Sequence, residues 1–193
     1  MSLKSGQSDK TAMKVITLGE LGVGKTTFVM KYCGETDKDT FDYLTKRVKV
    51  NNVDYTVIMC DTQGMEDVSY ITAYYYNDAK GMLLMFDLSN LKSLDNLQGW
   101  YNTADMYAPK DESLKPVPIL VGTKADSQTE SDETIENEKN KNFRNFKLFK
   151  VSSKNGTGMD ELMNELVSQI VAKFFVDKNK KPQKEKSGCC LLV

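Results

Sequence analysis

The sequence predicts an α/β fold with a six-stranded, mostly parallel sheet and helices on both of its faces. Short apolar runs such as residues 81–86 alternate with stretches whose apolar side chains recur at helical spacing, such as 93–107 and 156–175. A polar, helix-like stretch is also expected at 65–79. One antiparallel pairing is expected at a hairpin whose turn is Asn51-Asn52, because asparagine tolerates positive φ. In such sheets ligands bind at the carboxyl ends of the strands.

A glycine-rich loop follows the first predicted strand, residues 13–18, and opens the first helix. Its sequence, GELGVGKT, fits the pattern G-x-x-x-x-G-K-[ST] of a P-loop nucleotide-binding protein. Glycines let backbone N–H groups approach phosphate oxygens, and the helix directs its positive dipole end at them. Lys25 is predicted to contact the β- and γ-phosphates and Thr26 to bind Mg²⁺. The predicted phosphate-binding residues are Leu21, Gly22, Val23, Gly24, Lys25, Thr26 and Thr27.

Asp61 ends the second strand of the hairpin and is followed by Thr62, Gln63 and Gly64. A carboxylate at the end of a strand beside the P-loop strand can reach the magnesium shell, and Gly64 can offer a backbone N–H to the γ-phosphate. The pattern D-x-x-G is weak alone, but it is strong at this distance after a P-loop.

The strand at residues 117–121 leads into Thr123, Lys124 and Asp126. One carboxylate can accept hydrogen bonds from both N1–H and N2–H₂ of guanine, whereas adenine offers no such pair. Asp126 is therefore predicted to select guanine, with the stem of Lys124 lying over the base. After the strand at 146–151, a backbone N–H of Ser152, Ser153 or Lys154 can bind guanine O6, and Ser152 can orient Asp126.

Composition excludes several other classes. A net charge of −1 argues against nucleic-acid binding, and no apolar run is long enough to span a bilayer. The chain has no histidine, which excludes histidine-based catalysis. Cys33 and Cys60 fall in predicted core segments, where free thiols are expected.

These motifs, in this order, resemble the Ras-type small GTPases over residues 12–175 and the tail. The stretch 75–79, YYNDA, is similar to the Y-Y-R-G-A of Rab proteins, and residues 97–100 are also Rab-like. Thr123 in place of the usual asparagine is Rho-like, but the Rho insert is absent. We identify the sequence as Rab-like and divergent. The resemblance implies a monomeric GTP/GDP switch in vesicle transport that uses Mg²⁺ and meets effector, exchange and GTPase-activating proteins through its switch loops.

Three departures from the family pattern bear on hydrolysis. Met65 occupies the position of the glutamine that orients the attacking water, so the expected catalytic set of Lys25, Gly64 and Met65 predicts weak GTPase activity. Leu21 stands where glycine or serine is usual and is expected to crowd the γ-phosphate. The segment between Lys25 and Asp61 is several residues short, which makes the second magnesium-binding threonine uncertain. Thr40 is favoured, with Thr36 and Thr45 as alternatives.

Three segments are expected: a flexible lead at 1–12, a GTPase domain at 13–176 and a hypervariable basic tail at 177–193. Cys190 heads a C-a-a-X box and Cys189 adds a second thiol, a pattern that predicts prenylation. Val193 leaves the type of prenyl group open. The protein is then expected on the cytosolic face of an intracellular membrane.

Two other interpretations remain at this point. A scaffold that holds nucleotide permanently, or none, is favoured by Leu21, Met65 and the short loop. A nucleoside kinase would need arginines in a lid, and Arg47 and Arg144 are the only two in the chain, which makes this interpretation poor.

Overall fold

The computed structural model describes residues 10–36, 43–62 and 76–175. These residues form six strands and four α-helices, with a 3₁₀ turn at Ala125–Ser127 and a π-helical turn at Val171–Phe175. In chain order the elements are β1 (Ala12–Leu18), α1 (Lys25–Cys33), β2 (Tyr43–Val50), β3 (Val53–Asp61), β4 (Ala79–Asp87), α2 (Lys92–Tyr107), β5 (Val117–Thr123), α3 (Asp132–Asn142), β6 (Leu148–Lys150) and α4 (Met159–Ile170).

The sheet has the strand order β2-β3-β1-β4-β5-β6. β2 and β3 pair in antiparallel fashion, and every other neighbouring pair is parallel. The hairpin turns at Asn51 and Asn52, whose φ angles of 49° and 62° are the positive values expected of this turn. The predicted six-stranded, mostly parallel sheet is confirmed.

A separate apolar core lies on each face of the sheet. Alternate residues of β1 point to opposite faces, so Met13 and Val15 join one core while Ile16 and Leu18 join the other. α1 and α4 cover the first face, and α2 and α3 cover the second. This arrangement confirms helices on both faces. Because β1, β3, β4 and β5 are parallel, their carboxyl ends lie at the same side of the sheet.

Some element boundaries differ from the predicted ones. The last helix begins at Met159 rather than at 156, because Gly156 and Gly158 have φ angles of 85° and 71° and do not continue a right-handed helix. Ala79, predicted as the end of a helix, begins β4 instead. Most of that predicted helix lies outside the described residues.

Cys33 and Cys60 are free thiols, as predicted. Among the residues that the model describes, no helix is both long and apolar enough to cross a bilayer.

Candidate functional site

The P-loop, residues 19–24, depends on its glycines. Gly19 has a φ of 143°, and a Cβ there would lie 2.1 Å from the carbonyl oxygen of Met85. Gly24 has a φ of 100° and caps α1 without a side-chain hydrogen bond to the helix. The first N–H groups of α1 therefore keep their capacity to bind an anion, as the pattern predicted.

Lys25 is buried inside this loop, with only 4% of its surface exposed. Its Nζ donates hydrogen bonds to the carbonyl oxygens of Gly19, at 2.6 Å, and Glu20, at 2.7 Å. These contacts hold a positive charge within the loop, beside the N-terminus of α1. Two positive features thus converge where phosphates are predicted to bind.

Thr26, the second residue of α1, contacts Asp61, the last residue of β3. The Thr26 hydroxyl donates to Oδ2 of Asp61 over 2.5 Å, and Asp61 is 1% exposed. Protein-bound Mg²⁺ takes hard oxygen ligands and is commonly held by one or two carboxylates together with phosphate oxygens. The hydroxyl and carboxylate oxygens present here fit that ion.

The structure narrows the choice of the second magnesium-binding threonine. Thr45 lies within β2 opposite Ile58, three residues before Asp61 on β3, which is about 10 Å along the strand. Thr45 is therefore too distant to share an ion with Thr26. Thr36 is described and exposed, whereas Thr40 lies outside the described residues.

Gly64 and Met65, from the predicted catalytic set, also lie outside the described residues, as do Cys189 and Cys190.

Thr123 connects the P-loop to two strands. Its side chain is buried, and its Oγ1 lies 2.6 Å from the carbonyl oxygen of Val23 and 2.8 Å from that of Phe86. A hydroxyl carries one proton, so the two carbonyls share a single donor. The end of β5 is thereby joined to the P-loop and to the end of β4, a structural contact that sequence analysis did not foresee.

Asp126 is oriented by Ser152, as predicted. The Ser152 side chain is fully buried and donates to Oδ1 of Asp126 over 2.5 Å. Ser127 donates to Oδ2 over 3.3 Å, and Nζ of Lys154 lies 3.8 Å from the same oxygen. The Ser152 hydrogen bond, assisted by Ser127 and Lys154, holds the pKa of Asp126 below its ordinary value.

Lys124 is held by Asp87, a residue that sequence analysis did not select. Nζ of Lys124 lies 2.6 Å from Oδ2 of Asp87, and the Lys124 backbone is left-handed, with a φ of 55°. Burial alone would raise the pKa of Asp87, but hydrogen bonds from Lys124 and Ser89 outweigh it and lower that pKa. The sequence signal that could have identified Asp87 is its position. It ends β4, and the parallel pairing of β4 with β5 places it opposite Thr123, next to Lys124.

A cleft of about 370 Å³ joins the P-loop to these two loops. It brings together residues from three of the predicted nucleotide-binding motifs, namely the P-loop and the stretches 123–126 and 152–154. Ser127 is the one lining residue that sequence analysis missed. Its lining residues are Gly24, Thr27, Thr123, Lys124, Asp126, Ser127, Ser153 and Lys154.

Two other predicted loop residues have contrasting exposures. Val23 is buried beneath the P-loop, whereas Leu21 at its apex is 70% exposed. The Leu21 side chain therefore points into the space outside the loop and is not part of the core.

Comparison with known proteins agrees with this geometry. A model of the Ras family matches residues 14–172.

The chain belongs to the Ras family.

Its relatives include the Ras-related protein Rab-12 of Homo sapiens, which is 31% identical over 173 residues, or 86% of this chain and 69% of that protein. The Ras-related protein SEC4 of Saccharomyces cerevisiae is 26% identical over 182 residues, or 91% and 82% of the two chains. The predicted resemblance to a divergent, Rab-like small GTPase is confirmed.

Replacing Ser152 by alanine is expected to raise the pKa of Asp126, because the charged carboxylate loses its main hydrogen-bond donor. The measurement is a carboxyl-carbon NMR titration of Asp126 in the nucleotide-free protein. Ser127→Ala is the matched control, since its hydroxyl lies farther away, at 3.3 Å, and its removal should raise the pKa less. Equal shifts in the two variants would contradict the assignment of Ser152 as the main donor.

Replacing Thr123 by valine keeps the shape of the side chain but removes the donor shared by Val23 and Phe86. We expect the free energy of unfolding to fall by about 1–3 kcal/mol, because buried carbonyls lose a partner. Urea unfolding of the nucleotide-free protein measures the change, and Thr123→Ser, which keeps the hydroxyl, is the control. A valine variant as stable as the serine variant would show that the contact contributes nothing.

Proposed function

We propose that this protein is a GTP/GDP-binding switch of the Rab type that uses Mg²⁺ and hydrolyses GTP slowly. The observation that carries the proposal is the cleft in which Asp126, oriented by a buried serine, lies across from the P-loop. The family match and the Rab relatives support it.

Guanine recognition is the first part of the proposal. The carboxylate of Asp126 is charged at neutral pH, as an ordinary aspartate is, and its neighbours lower its pKa further. A charged carboxylate can accept the two adjacent N–H donors of guanine but meets no donor pair on adenine. We assign Lys124, positioned by Asp87, to one face of the base, and the backbone at Ser152, Ser153 and Lys154 to its O6.

Phosphate binding is the second part. The N-terminus of α1 and the buried ammonium of Lys25 place positive charge at one point, which stabilises negative charge on the β- and γ-phosphates. Thr26 and Asp61 would hold Mg²⁺, which neutralises phosphate charge when bound. Thr123 joins the P-loop to the sheet through the carbonyl of Val23, and this contact supports the loop that would hold the phosphates.

Slow hydrolysis follows from Met65. Its thioether cannot orient a water molecule as a glutamine amide does, and Ras-type turnover without a partner is already only about 10⁻⁴ s⁻¹. Loss of the orienting group typically costs roughly 10²–10³ in rate. We therefore expect intrinsic hydrolysis at or below the Ras-type rate, unless a partner supplies the missing group.

Attachment to a membrane is the fourth part of the proposal, after slow hydrolysis. Residues 177–193 carry five lysines against two acids and include Cys189 and Cys190. One prenyl chain with basic residues, or two chains, would anchor the protein stably. We propose a G domain at 13–176 that acts on the cytosolic face of an intracellular membrane, as a monomer in vesicle transport. Effector, exchange and GTPase-activating proteins would contact its switch loops.

The second candidate function is a scaffold that keeps its nucleotide permanently. The exposed side chain of Leu21, at the mouth of the P-loop, favours it, because a branched side chain there would obstruct an arginine supplied by a partner. The buried Lys25 and the Ser152–Asp126 contact weigh against a version without nucleotide.

The base-recognition claim is tested by Asp126→Asn. An amide presents an N–H₂ group to the guanine donors, so GDP affinity should fall by about 10²-fold or more. Calorimetric titration with GDP and with ADP, both with Mg²⁺, measures this. Asp132→Asn, at an exposed carboxylate paired with Lys150, is the control and should bind GDP normally. If Asp126→Asn and Asp132→Asn bind GDP equally, Asp126 does not recognise guanine.

The hydrolysis claim is tested by Met65→Gln. Restoring an amide that can orient water should raise single-turnover hydrolysis of GTP by about 10²–10³-fold. Met65→Leu is the control, since it is similar in size and cannot orient water, and it should leave the rate unchanged. A wild-type rate that equals that of the Met65→Gln variant would contradict the proposal. The scaffold alternative predicts no gain from the substitution, because Leu21 would still obstruct the site.

A further inference from the structure

Half of the large hydrophobic side chains that are exposed on the described surface come from one short stretch of the chain. Six such residues are exposed among the described residues, and three of them belong to the end of α2 and the loop after it: Met106 at 82%, Leu114 at 55% and Tyr107 at 45%. Tyr107 and Leu114 line one cavity of about 290 Å³, and Met106 precedes Tyr107 at the end of α2. We call these three residues the Met106 patch. A clustered apolar surface of this kind marks a contact with another phase or molecule.

The Met106 patch lies at the edge of the sheet opposite the nucleotide cleft. α2 starts after the carboxyl end of β4 and runs back to the amino end of β5, so its last residues lie at the amino edge. The cavity beside the patch is also lined by Ala79 and Lys80, at the start of β4. The nucleotide cleft, in contrast, is built on the residues that follow the carboxyl ends of β1 and β5.

The chain enters its tail from this same edge. Phe174, near the end of the π-helical turn, lines the cavity next to the patch. Residues 176–193, which carry the five lysines and the cysteines Cys189 and Cys190, begin two positions later. A membrane anchor on that segment would therefore act from the side of the domain that bears the patch.

Charges around the patch are balanced. Lys115 lies 2.8 Å from Oδ1 of Asp105 and 2.8 Å from Oε1 of Glu112, and Nζ of Lys80 lies over the rings of Phe174 and Phe175 at 5.7 and 6.0 Å. No excess charge of either sign favours an acidic or basic protein partner there. Paired charges around an apolar centre suit the interfacial layer of a bilayer, with tail lysines supplying any attraction to anionic lipid.

Tyr107 has a fixed orientation within the patch. Its ring stacks on the ring of Tyr76, with the two centroids 5.8 Å apart and an angle of 5° between the ring planes. Tyr76 is buried and, like any tyrosine at neutral pH, uncharged, and burial raises its pKa further, to about 12. A half-exposed tyrosine has an apolar ring and a polar hydroxyl, the combination enriched at membrane interfaces.

We propose that the Met106 patch rests on the phospholipid surface and turns the nucleotide cleft towards the cytosol. The inference rests on the membrane attachment put forward under the proposed function. Three side chains are too few to hold the protein on a bilayer alone. Their role is to orient a domain that the tail retains, so that the P-loop edge stays accessible to partners.

The test separates orientation from natural lipidation. The full chain, with a hexahistidine tag added after Val193, is bound to phosphatidylcholine vesicles that contain a nickel-chelating lipid and brominated phosphatidylcholine. The chain has no histidine and a single tryptophan, Trp100, so the tag is the only such anchor and Trp100→Phe gives a background without indole. Met106→Trp in that background reports on the patch. Tyr43→Trp is the control, because Tyr43 is 49% exposed and pairs with Cys60 at the opposite edge.

We expect Met106→Trp emission to shift to the blue and lose intensity on the vesicles, with Tyr43→Trp unchanged. High NaCl should not reverse the effect, since the contact is apolar. Equal quenching of both variants, or of neither while the protein still sediments with the vesicles, would overturn the proposal. A shift that appears without vesicles as protein concentration rises would assign the patch to a second copy and also overturn it. Intact mass of the protein from eukaryotic cells reports prenylation separately.

Discussion

The hydroxyl of Thr123 joins the three segments on which the candidate site depends. The hydroxyl contacts the carbonyl oxygen of Val23 in the P-loop and that of Phe86 near the end of β4. Thr123 itself is the last residue of β5. The loop that carries Asp126 begins two residues later. The buried Thr123 side chain therefore joins the P-loop, which is proposed to bind phosphate, to the strand that leads to the proposed base-binding loop. A small change in that contact would alter the distance between the two halves of the cleft.

The regions of the candidate site differ in how closely they follow the Ras-type pattern. Its phosphate and base regions are held by short contacts in which one partner is buried. These contacts are those of Lys25 within the P-loop, of Asp61 with Thr26 and of Ser152 with Asp126. Two of the three departures from the Ras-type pattern, Leu21 and Met65, fall at positions expected to face the γ-phosphate. Under the proposed function, this division favours tight binding with slow turnover, and partners would then determine which nucleotide is bound.

Much of the fold could be predicted because local patterns determine it. Apolar runs, the Asn51-Asn52 turn and the glycines of the P-loop each act within a few residues. Contacts between strands are different, since Asp87 and Lys124 become neighbours only when β4 and β5 pair. Likewise, the pairing register of β2 with β3 shows that Thr45 lies too far from Asp61 to bind the same Mg²⁺. The left-handed backbone at Gly156 and Gly158 explains why the last helix begins at Met159 and not at 156. Such features follow from tertiary structure, which spacing along the chain does not reveal.

The nucleotide that co-purifies with the protein tests the central claim most directly. Denaturation followed by ion-exchange chromatography identifies it and gives its ratio to protein. We predict a guanine nucleotide, mostly GTP, because the residues proposed to bind the base and the phosphates are brought together while the water-orienting glutamine is replaced by Met65. A site filled mostly with GDP would contradict slow hydrolysis, and an empty site or an adenine nucleotide would contradict the proposed function itself.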